Sequence, residues 1–221
     1  LGLLATTALA QQLSGGSYAT ANFAIAGVFI ARLLPAVFLG PIAGVIADRF
    51  DRRKLMVSAD IIRTALYISI PIVHTYLWLY AAMILVECVT LFWSPAKEAT
   101  VPNLVGKDKL ESANQVSLLA AYGTAPVAAI LFSLLTLFAS AIESLFPFSI
   151  GDSIDIALYV NAASFAFAAI TIWGLKEIPK GAAAKKAKDE GVLKSLHDGW
   201  KSVSQTKIVR GLVVGMIGAF F

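Results

Sequence analysis

Apolar residues in this chain gather into long unbroken runs, and short polar breaks separate them. The runs lie near residues 1–13, 21–47, 55–73, 77–95, 111–141, 154–175 and 208–221. The five middle runs approach or exceed the roughly 20 residues that a helix needs to cross a hydrocarbon core of about 30 Å. The first and last are shorter and read as pieces of spans cut at the chain's ends. None of the runs shows the alternating pattern of a barrel strand, and backbone facing lipid must satisfy its own hydrogen bonds, so every run is expected to be a helix. The pattern predicts an all-α polytopic membrane protein. Residues 1–175 would form a transmembrane bundle, 176–207 a cytoplasmic linker, and 208–221 the start of a further bundle.

The linker opens with Lys176, Glu177 and Pro179 and continues through an alanine- and lysine-rich stretch to Lys188. Within it Val192, Leu196, Trp200 and Val203 recur at helical spacing, with Lys194, Asp198 and Lys201 between them, which predicts either a short amphipathic helix at the interface or an ordinary solvated one. Basic residues are strictly apportioned among the breaks. Arg49, Arg52, Arg53, Lys54 and Arg63 flank one break, Lys97, Lys107 and Lys109 another, and Lys176 to Arg210 a third, whereas residues 14–20, 74–76 and 142–153 hold no lysine or arginine. Loops rich in these residues stay cytoplasmic, so the first run points outward and the amino terminus is expected in the cytoplasm of a cell whose plasma or inner membrane holds the chain.

Composition agrees with that setting: 58% of residues are hydrophobic and 14% charged, mean hydropathy is +0.76, and ordinary soluble domains carry about 25% charged residues. The formal charge of +4 does not point to nucleic acid, because the basic residues occupy short inter-run segments without interleaved aromatics. Cys88 is the sole cysteine and sits inside an apolar run, which excludes an internal disulfide or a multi-thiolate metal site. His74 and His197 lie far apart in the expected topology. No metal or cofactor is expected.

The break after the second run reads Gly44-Val-Ile-Ala-Asp48-Arg49-Phe-Asp51-Arg52-Arg53-Lys54. It resembles the loop between helices 2 and 3 of the major facilitator superfamily, commonly written G-x-x-x-D-R-x-G-R-R, and it falls where the topology places that loop. Asp51 stands where the general motif has glycine. Together with Gly40-Pro41, Asp60-x-x-Arg63, Ser94-Pro95-Ala96, Val101-Pro102-Asn103-Leu104-Val105 and Asp198-Gly199-Trp200, the loop looks like the branch of siderophore exporters and macrolide-efflux proteins. The resemblance implies a major facilitator fold: an amino-terminal six-helix bundle followed by the beginning of helix 7. It also implies that Asp48, with the basic cluster, latches against the carboxy-terminal half of the same protein. Gly44 is expected to let its helix end approach a neighbour closely. Gly123-Thr124-Ala125-Pro126 resembles the glycine-proline motif of antiporters in the family, with alanine in place of the preceding glycine. Pro126 is expected to bend its helix.

Ionisable groups at membrane depth are costly and gather where they pair or face a water-filled path. Arg32 lies about 11 residues inward from the outer end of its run and Glu87 about 10, roughly 15 Å each. Their equal depth allows an ion pair. Glu87 is the candidate to carry the coupling proton or meet a cationic substrate, with Arg32 as its modulator; the alternative is a permanent pair that only fixes helix packing. Asp60 and Arg63 sit one turn apart near the start of their run, as part of the gating network or as a surface-level intrahelical pair. Tyr18, Asn22, Tyr67, Tyr122 and Asn161 are available as hydrogen-bonding groups.

No cluster of acids or histidines suggests an enzyme, and no glycine-rich phosphate loop suggests ATP-driven pumping. The reading is secondary active transport, implied by the resemblance to be proton-coupled export of a small amphipathic molecule by alternating access. Its partners would be lipid, substrate, protons and the carboxy-terminal half. A non-transporting membrane scaffold or a degenerate partial transporter is the alternative.

Overall fold

A computed structural model describes residues 1–15, 18–47, 50–105, 109–145 and 152–175, together with Gly211. The linker and the start of a seventh helix, other than Gly211, lie outside the described residues. So do Asp48 and Arg49. Among the described residues six helices follow one another: α1 (Gly2–Leu13), α2 (Tyr18–Ala47), α3 (Arg52–Val73), α4 (Tyr76–Leu104), α5 (Leu110–Leu145) and α6 (Ser153–Gly174). Among the described residues there is no strand. Helices α2 to α6 are each long and apolar enough to cross a membrane; the 22 residues of α3 alone span about 33 Å.

Local chemistry sets several helix starts. Asp51 is extended, with φ of −63°, and its carboxylate accepts from the Lys54 amide at 3.2 Å as the N-cap of α3. Aspartate therefore stands in place of the motif's glycine without any left-handed turn, and supplies an acceptor to an otherwise unpaired helix amide. Asp152 caps α6 in the same way through the Ile154 amide at 3.0 Å. Between α3 and α4 the turn is short: His74 adopts the left-handed region at φ of 49°, closing α3 through a bond from its amide to the Ile70 carbonyl, and Thr75 caps α4.

Helix α4 continues to Leu104, whereas its apolar run was expected to end at residue 95. Proline at 95 and 102 removes two backbone donors, yet the helix persists because Ala96 and Thr100 are buried against neighbours. The Thr100 hydroxyl turns its hydrogen bond inward to the Ala96 carbonyl at 2.7 Å. Lys97 and Glu98 thus belong to a membrane-associated helix and not to a loop.

Packing follows the small residues. Helices α3 and α6, α2 and α4, and α3 and α4 form the main interfaces, with α1 set against α2 and α6. Their shared core alternates Leu9, Val28, Ile70, Leu79, Met83 and Leu158 with alanines at 5, 10, 24, 31, 82, 157 and 162. With lipid outside as apolar as the core, it is this close fit that holds the helices together. Helix α5 touches mainly α6 and is largely exposed.

Close approaches occur at Gly2, where a Cβ would lie 2.7 Å from the Tyr67 hydroxyl, and at Gly27. A Cβ on Gly27 would lie 2.9 Å from the Tyr80 ring, whose hydroxyl donates to the Ala24 carbonyl at 3.2 Å. Gly27→Ala is expected to displace that ring, break the bond and cost about 1–3 kcal/mol through overpacking, read as a lowered unfolding temperature of the full-length protein in micelles; an unchanged temperature would show that α2 and α4 can part without loss.

Candidate functional site

Helices α2 and α4 run side by side, and their mid-helix charges meet. Arg32 Nε stands 3.8 Å from Glu87 Oε2, with the two side chains 39% and 19% exposed. That is an ion pair without a hydrogen bond, and partial exposure leaves the carboxylate open on one side. The open side borders a cavity of about 360 Å³ between α2 and α4, walled by Gly40, Gly44, Glu87, Thr90, Ser94 and Glu98. Residues 87, 90, 94 and 98 recur at three- and four-residue steps, so they share one face of α4. No described atom lies within 4 Å of a Cβ built on Gly40 or Gly44. The close approach expected at Gly44 is therefore not seen among the described residues; the two glycines leave the cavity wall open.

Glu98 also lines a second cavity, of about 680 Å³, between α4 and α5, together with Lys97, Glu111 and Asn114. Two carboxylates, Glu87 and Glu98, are thereby linked along one helix face from mid-helix toward the end that carries Lys97. Sequence reasoning did not single out Glu98, because α4 was expected to end before it. The signal was its position eleven residues, or three turns, beyond Glu87.

A second charged group is buried in the bundle. Arg63 Nη1 donates to Asp60 Oδ1 at 2.8 Å, and Asp60 and Arg63 are only 1% and 3% exposed. The surface-level reading of this pair is therefore set aside. Trp93 Nε1 donates to the other carboxylate oxygen, Asp60 Oδ2, at 3.3 Å. The Arg63 guanidinium lies 5.0 Å from the centroid of Trp93 and 5.3 Å from that of Phe165, so it is flanked by two aromatic faces. Its Nε and Nη2 are buried without a hydrogen-bond acceptor among the described residues. Attraction to the ring faces, about 0.5–2 kcal/mol each, offsets part of that deficit. Trp93 escaped notice in the sequence because an indole on an apolar run reads as bulk until its N–H partner is located.

Next to this group, Tyr67 is buried and stacked on Phe165 with centroids 5.6 Å apart. Asn161 accepts the Gly2 amide at 3.1 Å. These two of the five hydrogen-bonding candidates are structural ties between α1, α3 and α6, while Tyr18, Asn22 and Tyr122 are exposed.

The basic residues at the start of α3 diverge. Arg52 donates to the Ala99 carbonyl of α4 at 2.9 Å, and Arg53 lies over the Trp173 ring of α6 at 5.0 Å. On α5, Pro126 lies within one continuous helix, and no described atom is within 4 Å of a Cβ built on Gly123. The structure does not bring Gly123 or Pro126 to the charged groups.

Residues 6–221 match the family described as transmembrane secretion effector. The chain is 28% identical over 154 residues to the uncharacterized MFS-type transporter YfiS of Bacillus subtilis, covering 70% of this chain and 33% of that protein. It is 27% identical over 197 residues to macrolide efflux protein A of Streptococcus pyogenes, covering 85% of this chain and 44% of that protein. The chain thus spans less than half the length of these curated relatives. No solved structure matches it.

Proposed function

This chain belongs to the transmembrane secretion effector family of major facilitator transporters, and we propose that the whole protein exports a small amphipathic molecule by alternating access, driven by the proton gradient. The observation that supports this reading is the half-open Arg32–Glu87 pair, whose Glu87 lines the cavity between α2 and α4. A carboxylate held at membrane depth, paired yet reachable, can exchange a proton or meet a cationic group, and such groups mark transport paths. In this reading Glu87 is the coupling residue and Arg32 its modulator. The loop of Gly44, Asp48, Arg49, Asp51, Arg52 and Arg53, with Asp60 and Arg63, latches one conformation against the carboxy-terminal half, and Gly123 with Pro126 lets α5 flex. The name of the streptococcal relative favours a macrolide-like amphipathic substrate. The proposed setting is the cell membrane with the amino terminus in the cytoplasm, following the lysine and arginine bias of the loops.

The test is transport by the full-length protein in sealed vesicles with a panel of fluorescent amphipathic dyes and macrolides. Export that rises with an imposed pH gradient and stops when a protonophore dissipates it is the expected result. Export indifferent to the gradient would end the proton reading, and movement of none of the compounds would leave a transporter fold with a different cargo.

A further inference from the structure

The outer faces of α3 and α6 form a groove that the transport reading does not use. It has a volume of about 630 Å³, and its walls include Val57, Ile61 and Ile68 of α3 and Ala166, Ile170 and Trp173 of α6. The α3 residues step by four and seven, so they make one stripe. The polar wall group Thr64 is already satisfied, its hydroxyl bonded to the Asp60 carbonyl at 2.8 Å. Along the stripe the groove wall therefore asks for no hydrogen bond, and its other polar group, the Trp173 indole N–H, lies at the Arg53 end. From Val57 to Ile68 it runs about 16 Å along α3, close to the depth of one leaflet, half of a hydrocarbon core of about 30 Å.

At the end of the stripe the chemistry changes. Arg53 lies one turn before Val57, on the same face, with its guanidinium 5.0 Å from the Trp173 centroid. Its Nε is buried without a hydrogen-bond partner among the described residues. Arg52 and Lys54 flank it in sequence. Tryptophan and arginine at the mouth of an apolar groove match the headgroup level of a bilayer, where an indole sits half in hydrocarbon and a cation meets phosphate.

We infer that the α3–α6 groove is a binding site for an anionic phospholipid of the leaflet at the Arg53 end, one acyl chain lying along the stripe and the headgroup phosphate held by Arg53. Charge complementarity decides the occupant. A wall that is apolar apart from two single polar groups takes an acyl chain, and a guanidinium whose Nε has no hydrogen-bond partner among the described residues, beside two further basic residues, takes an anion. The inference rests on membrane insertion and on Arg53, which the transport reading places in the latch; lipid quenching reads the groove directly, so failure of export leaves it standing.

The full-length protein would be reconstituted in phosphatidylcholine vesicles containing a minor fraction of either brominated-chain phosphatidylglycerol or brominated-chain phosphatidylcholine. The Trp173 signal is the difference between the wild type and Trp173→Phe. Phosphatidylglycerol is expected to quench it about fivefold more effectively than phosphatidylcholine, the preference one basic residue gives near an anionic headgroup. Arg53→Gln should bring the ratio near unity, and Arg53→Lys should keep most of it. Equal quenching by the two lipids in the wild type, or an undiminished preference in Arg53→Gln, would overturn the inference. Absence of quenching by both would overturn it too, since it would mean that another protein segment covers the groove.

Discussion

Replacing Glu87 by glutamine in the full-length protein is expected, on the proposed proton-coupled reading, to reduce efflux about 5- to 150-fold, the range set by a coupling free energy of about 1–3 kcal/mol between two sites. Glutamine keeps the size and one acceptor of the side chain but can neither release a proton nor balance Arg32. The groups that face Glu87 make the result interpretable. Arg32 approaches it from α2 at 3.8 Å, Glu98 shares its cavity from the same helix, and Arg63 and Tyr67 of α3 lie close enough to interact with it electrostatically. If Glu87 carries the proton, Glu87→Gln loses the response to the gradient while the protein still folds. If the pair only fixes the packing of α2 on α4, Glu87→Gln lowers the unfolding temperature and leaves the gradient response intact. Retained coupling together with retained stability would move the proton to Glu98, and Glu98→Gln would then be the decisive variant.

The largest effect on stability is expected at Arg63. Arg63→Ala removes the cation from an aspartate that is 1% exposed, leaving the Trp93 indole as the remaining side-chain donor among the described contacts of Asp60. Breaking a buried pair from one side costs about 3–5 kcal/mol, because the remaining charge has lost its compensation. It also empties the space between Trp93 and Phe165. Thermal unfolding of the full-length protein in micelles should show the loss. The double variant Asp60→Leu with Arg63→Met should recover most of it, since apolar replacement of a whole buried pair is often neutral or stabilising. Efflux by that double variant separates two roles. Restored stability without transport would assign the pair to gating, whereas restored stability with transport would make it a packing element. An Arg63→Ala protein as stable as the wild type would show that the pair is not buried in the membrane-embedded protein.

The two charged groups differ in how far they could be read in advance. Arg32 and Glu87 lie at similar distances from the outer ends of parallel runs, and a helix rises by a fixed amount per residue, so equal depth followed from counting. Asp60 and Arg63 were legible as a pair from their spacing of three residues. Their burial was not, because it depends on which face of α3 meets α4 and α6. Trp93 and Phe165, which flank Arg63, come from those two helices. Glu98 was missed for a local reason: two prolines and a charged pair look like a helix end until Ala96 and Thr100 are found buried against the bundle.

By itself the sequence determined the chain's solvent and its class. Long apolar runs need helices in lipid, and the glycine, aspartate and arginine spacing around residues 44–54 carried the resemblance to the family. Side-chain periodicity along one helix is a local property, so single-helix stripes such as 87, 90, 94 and 98 were also present in the order of residues. Which stripes face each other was decided only by the tertiary structure. Gly40 and Gly44 border a cavity and leave it open, while Gly27 admits the Tyr80 ring. Arg52 and Arg53, adjacent in sequence, reach two different helices. The physical reason is that lipid is as apolar as the protein core: hydrophobicity places a residue in the membrane, but the fit of small residues against large ones selects its neighbour.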